Sequence, residues 1–314
     1  MFIFWLIFLF LIGFILILDL GVLNKKDHVM GIKEALRWTL VWILVSLAFN
    51  VAIYFLYGHG LIEGPKAPIE GYEAALEYLT GYIIEKSLSL DNIFVMAAIF
   101  SYFKIPQKYQ HRVLFWGIIG AIILRGIFIL GGTALILRFE WLMYVFGVVL
   151  IISAAKMLFG KENGDKDLEK NAVVRLCKKF LPVTTKIDGH SFFIKENGKW
   201  FITPLLLALF VIETSDVLFA MDSIPAIFAV TLDPFIVFTS NIMAILGLRS
   251  LYFALAAMLT KFTKLKYAII FILAFVGMKM LIMDFYNIST IASLAVILAA
   301  LLAGILASLV KNKG

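Results

Sequence analysis

Two short segments of this 314-residue chain place carboxylates among apolar residues. Glu85 and Asp91 lie in EKSLSLDN, and Glu213, Asp216 and Asp222 lie in ETSDVLFAMDS. An arginine sits in the apolar run after each segment, Arg125 after the first and Arg249 after the second. Ser87, Ser89, Asn92, Ser223, Thr239, Ser240 and Asn241 crowd the same stretches. Such oxygen donors suit hard divalent cations, Mn²⁺, Mg²⁺ or Ca²⁺, better than Zn²⁺ or Cu⁺. His28, His59, His111 and His190 read as loop residues and Cys177 falls in a polar stretch, so no imidazole or thiolate is expected beside the acids. The candidate cation set is therefore Glu85, Asp91, Asn92, Glu213, Asp216, Asp222 and Asn241, with Arg125 and Arg249 as charge partners. The plainer reading is that the acids only neutralise Arg125, Arg249, Lys86 and Lys279 and so hold helices together. Five repeated acids with dense Ser, Thr and Asn around them exceed what two arginines need.

Spacing limits what these groups can do together. Glu213 and Asp216 are three apart and share a helix face. Glu85 and Asp91 are six apart, as are Asp216 and Asp222. On a regular helix that spacing is about 120° of rotation and about 9 Å of rise. Either the helices break at Pro225 and at SLSLDN, or each acid serves a different site. The repeated pattern of acid, five residues, acid and following arginine is that expected of an inverted-topology repeat.

The elements that position these residues follow from composition. Hydrophobic residues make up 62% and charged residues 16%, and mean hydropathy is +0.99. That balance excludes an ordinary soluble enzyme, and the long continuous apolar runs exclude a barrel of short alternating strands. An all-α polytopic membrane protein is expected, with nine spanning helices near 2–18, 36–57, 78–101, 113–136, 140–158, 201–221, 234–258, 267–285 and 290–309. Nothing divides residues 1–314 into more than one domain. The formal charge of +7 is concentrated in alternate loops. Lys25, Lys26, Lys33 and Arg37 follow the first helix, whereas Lys66 stands among Glu63, Glu70, Glu73 and Glu77 after the second. Residues 160–199 carry nine Lys or Arg, and residues 222–233 carry none. The positive-inside rule then puts the N-terminus outside and the C-terminus in the cytoplasm. The cytoplasmic loop 160–199 ends in a hairpin signal around Asn197-Gly198. Trp5, Trp38, Trp42, Trp141 and Trp200 read as interfacial anchors, and Asp19 as a cap or interfacial group. No basic-aromatic patch suggests nucleic acid as a partner.

The segments EKSLSLDNIF, YQHRVLFWGIIGA and ETSDVLFAMDSIPAIFAVTLDPFIVFTSNIMAILGLRSLYF resemble the TerC family of integral membrane proteins, including its Alx branch, as do LDLGVLNKK and EALRWT nearer the start. The resemblance runs from about residue 19 to about residue 284. The family takes its name from tellurium resistance, but the resemblance implies manganese export from the cytoplasm. It also implies a metal path through Glu85, Asp91, Glu213, Asp216 and Asp222. Asn92 and Asn241 are added on chemistry and position. Manganese comes from the resemblance; the residues alone give a hard divalent cation. A multi-pass protein of the bacterial inner (plasma) membrane is expected.

The expected activity is secondary transport, because no phosphate-binding loop is present. Moving a divalent cation out of a negative interior costs about 4.6 kcal/mol per 100 mV, at about 2.3 per charge. Protons are the natural coupling ion, since carboxylates must lose protons to ligate metal. The expected partners are thus Mn²⁺ as transported ion, protons and the bilayer, with no prosthetic group. Two alternatives stand beside this: a transporter of Ca²⁺ or Mg²⁺, and a non-transporting membrane scaffold in stress response. No HExxH motif, Ser–His pair or paired cysteines suggest an enzyme.

Overall fold

The computed structural model describes residues 2–18, 31–64, 68–159, 175, 182–196, 198–256, 264–286 and 288–310. Asp19, His28, Lys66, Cys177 and Asn197 lie outside the described residues, as do the side chains of Leu18, Asp91, Phe94, Ala256, Leu309 and Val310. Ten helices are seen among the described residues: α1 (Phe2–Leu18), α2 (Ile32–Gly58), α3 (Gly71–Tyr102), α4 (Gln107–Arg138), α5 (Leu142–Phe159), α6 (Pro204–Phe228), α7 (Pro234–Leu246), α8 (Leu248–Ala256), α9 (Leu265–Ile282) and α10 (Thr290–Val310). The protein is an all-α polytopic membrane protein. Among the described residues seven spans are long and apolar enough to cross a bilayer, α7 and α8 together forming one of them. The apolar part of α1 is shorter, and α3, though 32 residues long, carries the polar cluster in its interior.

Burial sets the layering. In the best 18-residue apolar window of the span Pro234–Leu255, 94% of the residues are buried, against 17% in those of α2 and α10. The α7–α8 span is therefore the centre of the bundle, packed by α3 and α4, while α2 and α10 present Leu, Ile and Phe outward. α4 also packs along α6, and α3 contacts both α2 and α6. α5 lies most closely on α9, where Gly147 and Gly277 meet. A Cβ on Gly277 would stand 2.8 Å from the Gly147 carbonyl oxygen, so the crossing admits only glycine without a shift of backbone. That contact fixes α5, which supplies part of the site.

Local sequence explains the ends of the central helix. Asp233 caps α7 by accepting from the amides of Phe235 and Ile236, with Pro234 in the first turn. α7 stops at Gly247, and Lys86 Nζ donates to the Ala244 carbonyl at 3.1 Å, satisfying one of the acceptors freed there. The hairpin pairs β1 (Phe193–Glu196) with β2 (Lys199–Ile202), from Phe193↔Ile202 to Glu196↔Lys199, and Gly198 takes φ 80° in the turn.

Several expectations change. The predicted breaks do not occur where proposed, since α3 runs unbroken through SLSLDN and α6 continues past Pro225 to Phe228. The interruption falls at Gly247 instead. The hydroxyls are accommodated within α3, since Thr80 and Ser87 donate back to the carbonyls of Leu76 and Ile83. His111 is in α4, stacked on Phe253, not in a loop. Glu77, expected in a connecting loop, is buried inside α3. Trp42 is buried within the bundle rather than at an interface, and Trp5, partly buried, packs on Phe235 and Phe238.

Candidate cation site

Arg125 is the hub of the buried polar cluster. It lies mid-way along α4 and is 1% exposed. Its Nε and Nη2 donate to Asp216 Oδ2 and Oδ1 at 3.1 and 2.9 Å, a two-pronged contact with α6. Its Nη1 donates to Glu85 on α3, to Asn241 Oδ1 on α7 at 3.1 Å and to Ser223 Oγ on α6 at 3.4 Å. Asn241 closes the ring by donating from Nδ2 to Glu85 Oε2 at 3.0 Å, and Ser89 donates to Glu85 Oε1 at 3.3 Å. A guanidinium matches this demand because its planar fork offers five N–H donors to two carboxylates at once. α3, α4, α6 and α7 are thereby tied together, and Arg125 takes one carboxylate from each of the two repeated segments.

A cavity of about 630 Å³ opens beside this cluster. Glu85, Asn92, Arg125 and Ser223 line it, and so do Asp222 and, from α5, Ser153 and Lys156. Asp222 accepts from Ser153 Oγ at 2.7 Å and lies within electrostatic reach of Lys156. Asn92 is buried, and its Oδ1 has no hydrogen-bond partner. Met157 and Met221 also line the space. Pro225 lacks an amide hydrogen, so the Met221 carbonyl loses its regular helical donor one residue before Asp222. The space thus combines carboxylate, amide, hydroxyl and carbonyl oxygens with two fixed cations at its edges.

The candidate residues divide by position. Glu85, Asp216 and Asn241 form one hydrogen-bonded network around Arg125. Asn92 and Asp222 join Glu85 along the cavity wall. Glu213 stands apart from that wall: its carboxylate lies directly over Gly120 of α4, where any Cβ would collide with it, and its Oε2 has no hydrogen-bond partner. Arg249 is buried on α8 and lines a narrow crevice with Asp216 and Met96. Asp91 belongs to α3, and its side chain lies outside the described residues. Among the described residues, no three His, Cys, Asp or Glu side chains are grouped closely enough to hold one metal ion. The Arg125 guanidinium stands between Glu85 and Asp216. Ser153 and Lys156 were missed in sequence. Their signal is slight, two polar residues three apart in an otherwise apolar helix.

The comparisons with known proteins agree on one family. The family described as integral membrane protein TerC family matches residues 70–314. STKORF319 of Myxococcus xanthus, an uncharacterized membrane protein, is 50% identical over 309 residues, 98% of this chain and 92% of that one. Alx of Salmonella typhi, described as a candidate membrane-bound redox modulator, is 46% identical over 282 residues, 88% of this chain and 84% of that one. Alx of Escherichia coli strain K12, with the same description, is 45% identical over 299 residues, covering 94% and 90%. No solved structure matches the chain.

Proposed function

The chain belongs to the TerC family of integral membrane proteins, and from that premise we propose that it is a secondary transporter exporting Mn²⁺ from the cytoplasm in exchange for protons. The observation that carries this reading is the cavity between Glu85 and Asp222, inside a bundle whose outer faces are apolar. Its volume of about 630 Å³ holds a cation with part of its hydration shell, at ~30 Å³ per water. Its donors are mostly oxygens, which suits a hard divalent ion. The resemblance at EKSLSLDN and ETSDVLFAMDS selects manganese within that class and carries Asp91 as a further ligand. The proposed location is the bacterial inner membrane, and no enzymatic step is proposed.

Arg125 sets the order of events. With the guanidinium between Glu85 and Asp216, one positive charge is shared by two carboxylates and a second cation has no place between them. Loading therefore begins at Asp222 and Asn92, and transfer toward Glu85 requires Arg125 to let go of that carboxylate while its two-pronged contact keeps Asp216. Like charge drives the exchange, since a divalent ion and a guanidinium beside one carboxylate repel each other. Rocking of the two repeated segments, joined at Arg125, would then change which side the cavity faces.

The description of the Alx relatives as redox modulators fits the same reading. This chain has a single cysteine, Cys177, so thiol–disulfide cycling within one molecule has no partner residue. A redox effect would follow from altered manganese supply. The test is metal-selective efflux from liposomes carrying the purified protein. Efflux of Mn²⁺ that Mg²⁺ and Ca²⁺ fail to inhibit supports the reading. Equal transport of Ca²⁺ or Mg²⁺ moves the function to that cargo, and an absence of flux leaves a scaffold.

A further inference from the structure

A second set of buried ionisable groups lies outside the cavity. Glu77 on α3, Lys279 on α9 and Asp233 at the start of α7 are 9%, 8% and 1% exposed. Glu77 faces Asp233, Lys279 and the hydroxyl of Thr231, with Glu73 on its own helix and Tyr57 from α2 completing the titratable and charged groups around it. Two of the three buried groups are engaged. Asp233 accepts from Tyr57 Oη at 2.8 Å and from the amides of Phe235 and Ile236 at 2.9 and 3.2 Å. Lys279 Nζ donates to Ser293 Oγ at 3.0 Å. Glu77 differs: its Oε2 is shielded from solvent and has no hydrogen-bond partner. A carboxylate oxygen without a hydrogen-bond partner is costly to bury in its charged form. A proton can be added to or taken from that oxygen without breaking an existing bond.

Position gives this group a use. Glu77 precedes Glu85 by eight residues on one helix, about 12 Å along the axis and about 80° around it. Thr80 and Gly81 lie between them, and Gly81 packs on Ser240 of α7, the residue before the Asn241 that binds Glu85. Thr80 and Ser240 are both fully buried. Thr80 and Ser240 thus lie on the α3–α7 seam between the Arg125 cluster and Glu77, their hydroxyls donated to the carbonyls of Leu76 and Val237, and Glu77 ends that seam near the α6–α7 connection. Asp233 already accepts three hydrogen bonds and an ammonium stands close by, which disfavours a second metal site there and suits a group that exchanges one proton.

We propose that Glu77 is a proton-exchanging carboxyl of the transport cycle, taking up and releasing the coupling proton at the α6–α7 end of the seam, separate from the cation site. This rests on the reading of proton-coupled export above. The test uses the full-length chain in liposomes with an entrapped pH-sensitive dye and Mn²⁺ as the probe, comparing wild type, Glu77→Gln and Glu77→Asp. Calorimetry in detergent measures Mn²⁺ binding separately. Glu77→Gln should bind Mn²⁺ as wild type does and lose Mn²⁺-dependent proton movement to the level of protein-free liposomes. Glu77→Asp should keep that movement with a displaced pH profile. Undiminished proton movement in Glu77→Gln overturns the proposal. So does loss of Mn²⁺ binding, which would make Glu77 part of the cation site. Failure of both variants to reach the folded state overturns it as well, since it shows a packing role. A wild type that moves Mn²⁺ without protons removes coupling and Glu77 with it, and a wild type that moves no Mn²⁺ refutes export before any variant is compared.

Discussion

Arg125 holds Asp216 through two parallel hydrogen bonds, Nε to Oδ2 at 3.1 Å and Nη2 to Oδ1 at 2.9 Å, and keeps its remaining terminal nitrogen for Glu85, Asn241 and Ser223. The arrangement joins α4 to α3, α6 and α7 and stands where an ion shared by Glu85 and Asp216 would have to sit. One residue thus governs both the cohesion of the bundle and access to the acids.

Removing Arg125 should therefore be felt first as lost stability. Arg125→Ala leaves Glu85 and Asp216 buried without a cation, and breaking a buried pair in this way costs about 3–5 kcal/mol. Arg125→Lys keeps the charge but cannot hold both oxygens of Asp216 while reaching Glu85, so its loss should be smaller and still measurable. Thermal unfolding in detergent checks the order wild type, Lys, Ala. Equal melting of the alanine variant and wild type would mean that the cluster does not hold the helices.

Asp222 offers the converse case. It is only partly buried and bonded to one side chain, the Ser153 hydroxyl, which an asparagine oxygen can also accept. Asp222→Asn should leave melting within about 1 kcal/mol of wild type, as for substitutions that keep shape and bonding, while abolishing manganese efflux. Efflux measured in liposomes at wild-type rate would remove Asp222 from the path.

Much of this arrangement was legible before any coordinates, for definable reasons. The helices announce themselves because lipid demands long apolar runs, and the acids stand out because charge is rare inside them. Partnership is another matter. That Arg125 pairs with both Glu85 and Asp216, 40 and 91 residues away, depends on how α3 and α6 pack on α4 and has no local signature. Breaks misled for a similar reason. Serines and a proline looked like interruptions, yet the hydroxyls bond back within α3 and Pro225 falls in the last turns of α6. The actual break is at Gly247, where any side chain would collide with the Lys86 ammonium and crowd Trp42. Glu77 precedes the apolar part of α3 and has the look of a loop acid in sequence; the groups that enclose it come from α2, the α6–α7 connection and α9, distant along the chain.

The contact between Glu213 and Gly120 yields a double substitution. A methyl on Gly120 occupies the space of the Glu213 carboxylate. Gly120→Ala should destabilise by about 1–3 kcal/mol through overpacking, despite the helix-favouring change. In a Glu213→Ala background the obstacle is gone, and the same substitution should be neutral or stabilising. Unfolding of the four proteins measures the coupling. Identical effects in both backgrounds would place Glu213 elsewhere than over Gly120.

The most direct test of proton-coupled export is manganese release from liposomes containing the purified chain, with and without an imposed pH gradient. An acidic exterior should accelerate Mn²⁺ release and alkalinise the medium in step with it, and Glu85→Gln should abolish both. Release that never exceeds protein-free liposomes, or that is unchanged by Glu85→Gln, would contradict a cation path through the bundle.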